Sequence, residues 1–196
     1  MTYRNLCQAI KKSFSFTLLL LLFAQADNAD ADVVINITES NGDVIAQMSG
    51  SFDLNATLGL LGSSGGFNGF SAETGAIGIN FGAGSAYAAQ GPLTPFGNTG
   101  FDQWDSATGD IAAFASNSAI VLPFFYESGD PLTGTAIEFN DTFQSLGFIP
   151  GTYVSTFNNG VFSETLTVNI VPEPSSGLLL CGGLLFLPRR LRRSSL

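Results

Sequence analysis

Outside its glycine-rich middle, the chain alternates apolar and polar side chains with a period of two, the pattern of strands that bury one face. In Asp32 to Thr38 (DVVINIT), Val33, Ile35 and Ile37 share a face, and in Asp43 to Gly50 (DVIAQMSG) Val44, Ala46 and Met48 do the same. Asn41-Gly42 lies between them, a dipeptide suited to a primed turn, so a hairpin is predicted. Ser51 to Leu60 is expected to supply a third strand. Further strands are predicted at Ile111 to Ala115, Ser118 to Tyr126, Gly134 to Phe139, Gly151 to Phe157 and Val161 to Val171, the last two joined through Asn158-Asn159-Gly160. Leu166, Val168 and Ile170 share one face there and Thr165, Thr167 and Asn169 the other, which fits a sheet wet on one side.

Residues 62 to 100 are glycine-rich (GSSGGFNGF, AIGINFGAGSAYAA, GPLTPFGNTG). Helix is costly in such sequence, and short strands are expected only around Ala76 to Phe81 and Ser85 to Ala89. Phe67, Phe70, Phe81, Tyr87 and Phe96 read as core plugs and loop anchors. Eight to ten short strands in all predict a single all-β domain over residues 32–170, a sandwich or jelly-roll-like fold. At 196 residues the chain has room for one such domain once its ends are set aside.

Charge then narrows the function. All seven basic residues lie outside the middle of the chain: Arg4, Lys11, Lys12, Arg189, Arg190, Arg192 and Arg193. Between Asp27 and Pro188 stand sixteen carboxylates and no Lys, Arg or His, a formal charge of −16 against −9 for the whole chain. A nucleic-acid partner is excluded, because phosphate binding needs cations to replace counterions. A His base, a Schiff-base Lys, an arginine clamp and a His metal ligand are all missing from this stretch, so an enzyme is not expected. Both cysteines, Cys7 and Cys181, fall outside the domain and offer it no disulfide.

The flanks read as targeting segments. Residues 1–26 combine a basic start, the apolar run Phe14 to Ala24 and the small residues Ala24-Gln25-Ala26, the plan of a secretory signal peptide; Ala29-Asp30-Ala31 offers cleavage after residue 31 instead. In segment 171–196, Pro172 and Pro174 bar helix propagation and leave an extended peptide open to a protease. The apolar stretch Gly177 to Leu187 and the arginines behind it would halt export with the domain outside and the tail in the cytoplasm, as a short transmembrane helix. At ~1.5 Å per residue this stretch is about 17 Å long, so it needs bilayer thinning or snorkelling arginines to span.

Pro172-Glu173-Pro174, the apolar run and the cluster Arg189, Arg190, Arg192 and Arg193, in this order, resemble the sorting signal of PEP-CTERM proteins. The resemblance implies an exported bacterial protein, held transiently at the inner membrane and processed by exosortase, an integral membrane enzyme resembling cysteine peptidases. Its implied destination is the cell surface or an exopolysaccharide matrix such as that of a biofilm. "GPLTPFG" from Gly91, "SGDPLTGTAIEFNDTFQSLGFIPGTYV" from Ser128 and "TLTVNI" before the prolines look like one recurring ectodomain type among these proteins, a type that implies no chemistry.

The richest polar stretch is Phe101 to Asp110 (FDQWDSATGD), where Asp102, Asp105 and Asp110 surround the single tryptophan, Trp104. It reads as a solvated turn or as a weak extracellular calcium site, although its spacing matches no EF-hand. Trp104 is either a loop anchor or a sugar-stacking ring. The expectation is thus a non-enzymatic exported protein without an obligatory cofactor, the alternative a carbohydrate-binding module assisted by calcium. Asn36, Asn55 and Asn140 head Asn-x-Thr triplets and read as strand and turn residues.

Overall fold

The computed structural model describes residues 32–115 and 119–172. In chain order the strands are β1 (Val33–Ser40), β2 (Asp43–Gly50), β3 (Gly59–Gly66), β4 (Gly69–Ser71), β5 (Ala76–Ile79), β6 (Gly82–Ala88) and β7 (Phe101–Asp102). Then follow β8 (Ser106–Gly109), β9 (Ala112–Ala115), β10 (Ala119–Leu122), β11 (Leu132–Glu138), β12 (Gly151–Asn158) and β13 (Ser163–Val171). They form an all-β sandwich of two sheets, one of six strands in the order β12-β13-β1-β2-β11-β8 and one of seven in the order β3-β6-β10-β9-β5-β4-β7.

Alternation builds the six-stranded sheet. Val33, Ile35 and Ile37 of β1, Val44, Ala46 and Met48 of β2, and Leu166, Val168 and Ile170 of β13 are buried, while their neighbours in sequence face outward. The β1–β2 hairpin closes on Asn41 and Gly42, whose φ values of 56° and 87° are those the turn requires. β13 runs parallel to β1, with Val33 opposite Leu166, so the first and last described strands lie side by side inside the sheet. From the facing sheet Phe70, Ile77, Ile79, Phe114, Ile120 and Leu122 complete the core. Burial of each such side chain contributes roughly 1.5–3 kcal/mol, which makes the inter-sheet layer the main source of stability.

Three expectations about the strands need correction. The third strand lies at Gly59–Gly66, not at Ser51 to Leu60, because Asp53 caps a single 3₁₀ turn, Leu54–Ala56, its carboxylate accepting from the Asn55 N–H at 2.9 Å. Ser118 to Tyr126 yields a strand only over Ala119–Leu122, since Pro123 has no N–H to donate and opens a turn. The polar stretch 101–110 is not one loop. It contains β7 and β8, which belong to opposite sheets.

Candidate functional site

The chain crosses from one sheet to the other between β7 and β8, and Trp104 is the joint. Its side chain is 2% exposed, its indole N–H donates to the Gly78 carbonyl at 3.1 Å, and its ring packs 4.6 Å from Phe70. No face of this ring is open to a sugar. It holds the crossing segment to the core.

The three aspartates around it are spread along the rim. Asp102 lies in β7, at the edge of the seven-stranded sheet, and accepts from the Gln103 N–H at 2.8 Å. Asp105 and Asp110 stand at opposite ends of β8, the edge strand of the other sheet. At one end the Asp105 carboxylate accepts from the Phe139 N–H at 3.0 Å, while the Asp105 N–H donates to the Glu138 carboxylate at 3.2 Å. At the other end the Asp110 carboxylate accepts from the Thr133 N–H at 2.8 Å, and the Asp110 N–H donates to the Thr133 carbonyl at 2.7 Å. Side chains thus replace the backbone ladder where the pairing of β8 with β11 stops at Ser106 and Gly109. Five residues of strand at ~3.3 Å each separate Asp105 from Asp110 by about 16 Å, whereas oxygens sharing one calcium ion lie within about 5 Å of each other. The structure does not bring Asp102, Asp105 and Asp110 into one cage. Among the described residues no three His, Cys, Asp or Glu side chains converge as a metal site.

Glu138 is the residue the sequence reading missed. It follows the inward-facing Ala136 in β11 and is 8% exposed at the margin of the core. Burial, then the neighbouring charge of Asp105, and more weakly Asp102 and Asp141, push its carboxyl up from the ordinary glutamate range to about 7. The alternation of "LTGTAIE" put this carboxylate on the buried face, and that was the only available signal.

The outer face of the six-stranded sheet has a different chemistry. The registers align Thr152, Asn169, Asn36, Gln47, Thr135 and Thr108 in one transverse row that crosses all six strands without a charged group. Thr152 donates to the Asn169 side-chain oxygen at 2.9 Å, and the Asn169 amide donates to the Asn36 side-chain oxygen at 3.0 Å. Gln47, Thr135 and Thr108 continue the row with hydroxyl and amide groups turned to solvent. At ~4.8 Å between strands the row is about 24 Å long.

Of the sorting-signal residues only Pro172 is described. It is exposed just past β13 and lines, with Glu39, Asn41 and Gly42, an open pocket of about 260 Å³. Glu173, Pro174, Arg189, Arg190, Arg192, Arg193, the apolar run 177–187 and the signal peptide lie outside the described residues. Among the described residues no helix is long and apolar enough to cross a membrane.

No protein-family model, curated protein or solved structure matches this chain.

Proposed function

We propose that this protein is a non-enzymatic exported protein, delivered to the cell surface or an extracellular matrix through exosortase-type processing of residues 171–196. The observation that carries this reading is the ordered set Pro172-Glu173-Pro174, Gly177 to Leu187, and Arg189, Arg190, Arg192 and Arg193, attached to a domain with no cation of its own. The prolines keep the junction extended, the apolar run holds it at the inner membrane, and the arginines fix its orientation. In support, β13 ends at Val171 and Pro172 is exposed, so the junction begins where this strand ends. The sandwich is the cargo. Mass spectrometry of the mature protein from native cells tests the reading: the expected mass lacks the residues beyond the Pro-Glu-Pro motif, and a tail retained through Leu196 overturns it.

The row from Thr152 to Thr108 favours a second reading, in which the six-stranded sheet holds a neutral, hydroxyl-rich polysaccharide. Uncharged donors and acceptors suit such a polymer, and the surrounding carboxylates disfavour an anionic one. Calcium has no part in this contact. Calorimetry of the mature protein with neutral glucans, with and without calcium, tests it: binding unaffected by calcium is expected, and silence in both conditions rejects it.

A further inference from the structure

Each sheet of the sandwich has two edges, and three of the four are blunted by different means. β8 has four residues and is capped at both ends by Asp105 and Asp110. β7 has only two residues, one of them Asp102. β12 is long, but the segment from Gln90 to Thr94 lies along it. Thr94 donates its hydroxyl to the Val154 carbonyl at 2.6 Å, the Asn158 N–H donates to the Gln90 carbonyl at 2.8 Å, and Gly91 sits so close that a Cβ there would meet the Thr156 carbonyl oxygen at 1.9 Å. Short strands, charges and covering segments are the devices by which sheet edges avoid pairing with another chain.

Among the described residues, β3 has none of these three devices. It is eight residues long (GLLGSSGG), contains no Pro, and lies in a stretch with no charged residue from Leu54 to Ala72. Lysine, the usual edge guard, does not occur anywhere in the domain. A bulge between Leu60 and Gly62 interrupts its pairing with β6, yet Gly62–Gly66 then continues in register. The bulge leaves Leu60 and Leu61 64% and 66% exposed, beside Leu58 at 59%. The β12–β13 turn is tied to this shoulder by the Asn159 side chain, which donates to the Asn55 carbonyl, and it adds the exposed Val161 and Phe162.

We propose that the β3 edge is a homodimer interface, at which β3 of a second copy pairs antiparallel about a two-fold axis and joins the two seven-stranded sheets into one. The occupant follows from the self-complementarity of the edge, and charge confines the contact to it. Two domains that each bear an excess of carboxylates and no cation repel one another on most of their surface, and β3 with its leucine shoulder is a long edge that brings no carboxylate to the contact. A two-fold pairing is self-complementary: the open N–H and C=O groups of one edge meet the same groups of the other, and leucine meets leucine.

Light scattering and sedimentation of the mature protein provide the test. A dimer is expected, with association weakened at least tenfold by L60E/L61E, two exposed positions whose change leaves the core intact. S64K, elsewhere on the same edge, is the second variant and is expected to act in the same direction. V154E/T156E adds the same charge on the covered β12 edge and is expected to leave the dimer unchanged. The near-ultraviolet signal of buried Trp104 reports that each variant is folded. A wild-type protein that stays monomeric up to about 100 μM, where a micromolar dimer is nearly complete, overturns the proposal. So does a dimer that V154E/T156E weakens as much as L60E/L61E.

Discussion

The two sheets reach the same sandwich by opposite chemistries. In the six-stranded sheet β1, β2, β12 and β13 bury alternate side chains and turn Thr, Asn, Gln and Ser to solvent. In the seven-stranded sheet β4 and β5 are buried on both faces, with the patterns "GFS" and "AIGI". Their outer face is made of the small residues Gly69, Ser71, Ala76 and Gly78, and side chains fold back over it. A Cβ at Gly78 would lie 2.9 Å from the Phe67 ring, and one at Gly66 or Gly82 would lie 2.6 or 2.5 Å from Ile111. Ala86, Ala113 and Val121 are buried beneath Phe67 and Ile111 as a second, small apolar cluster. One sheet is solvated by its own polar residues, whereas the other is roofed by two large ones standing on glycine.

The roofed sheet should therefore break at the smallest substitution. In Gly78→Ala the new methyl would meet the Phe67 carbonyl oxygen at 2.1 Å, a backbone atom that cannot step aside as a side chain can. The expected loss is about 3 kcal/mol, at the upper end of overpacking costs, measured by urea unfolding. Thr135→Val, at an outward position of the wet sheet, is expected to stay within about 0.5 kcal/mol of wild type. Equal losses at the two positions would dissolve the contrast between the sheets.

The rim where the sheets meet should respond to pH. Glu138 has a folded pKa of about 7, raised above its ordinary 4.5 by burial first and by Asp105 second. Between these values the folded state holds a proton that the unfolded chain has released, so the contribution of this group to stability is greatest below about 4.5, falls as pH rises through 7, and is then constant. The fall attributable to this group is on the order of 1–3 kcal/mol. Glu138→Gln keeps an oxygen to accept from the Asp105 N–H and cannot ionise, so it should be the more stable protein at pH 8 and match wild type near pH 4. A wild-type stability that rises across pH 5 to 7 by the same amount in both proteins would show that Glu138 does not carry the dependence.

The contrast also explains what could be read in advance. β1, β2, β12 and β13 were legible because Val33, Ile35 and Ile37, and later Leu166, Val168 and Ile170, alternate with polar residues, and because Asn41-Gly42 and Asn159-Gly160 mark the turns. β3 and β4 were misplaced or hidden for the opposite reason. Their glycines satisfy no period, and most of Gly59–Gly66 takes its strand conformation from pairing with β6. Strands that are buried on both sides or lie at an edge take their conformation from their neighbours more than from their own propensities. The acidic stretch misled in a similar way. Asp105 and Asp110 look convergent at five residues' spacing, but an extended β8 holds them at its two ends. Glu138, the carboxylate that Asp105 does meet, is thirty-three residues further along the chain.

The smallest expected effect lies on the wet face, and it separates fold from recognition there. Along the transverse row Thr152, Asn169 and Asn36 bond one another, whereas Gln47, Thr135 and Thr108 face solvent. Asn169→Ala leaves the Asn36 oxygen and the Thr152 hydroxyl without their protein partner on a half-solvated surface, a loss of about 1 kcal/mol. Gln47→Ala/Thr135→Ala removes no internal bond and should leave the unfolding midpoint within about 0.5 kcal/mol of wild type. The same double variant removes the uncharged donors at the open end of the row, so binding to a neutral glucan should weaken about tenfold, as expected when two hydrogen bonds of roughly 0.7 kcal/mol each are lost. An unchanged midpoint with unchanged glucan binding would make the row a property of the sheet's solubility alone. A lowered midpoint would mean that the wet face supports the fold as the roofed face does, and the distinction between the two sheets would fail on the side where it predicts nothing should happen.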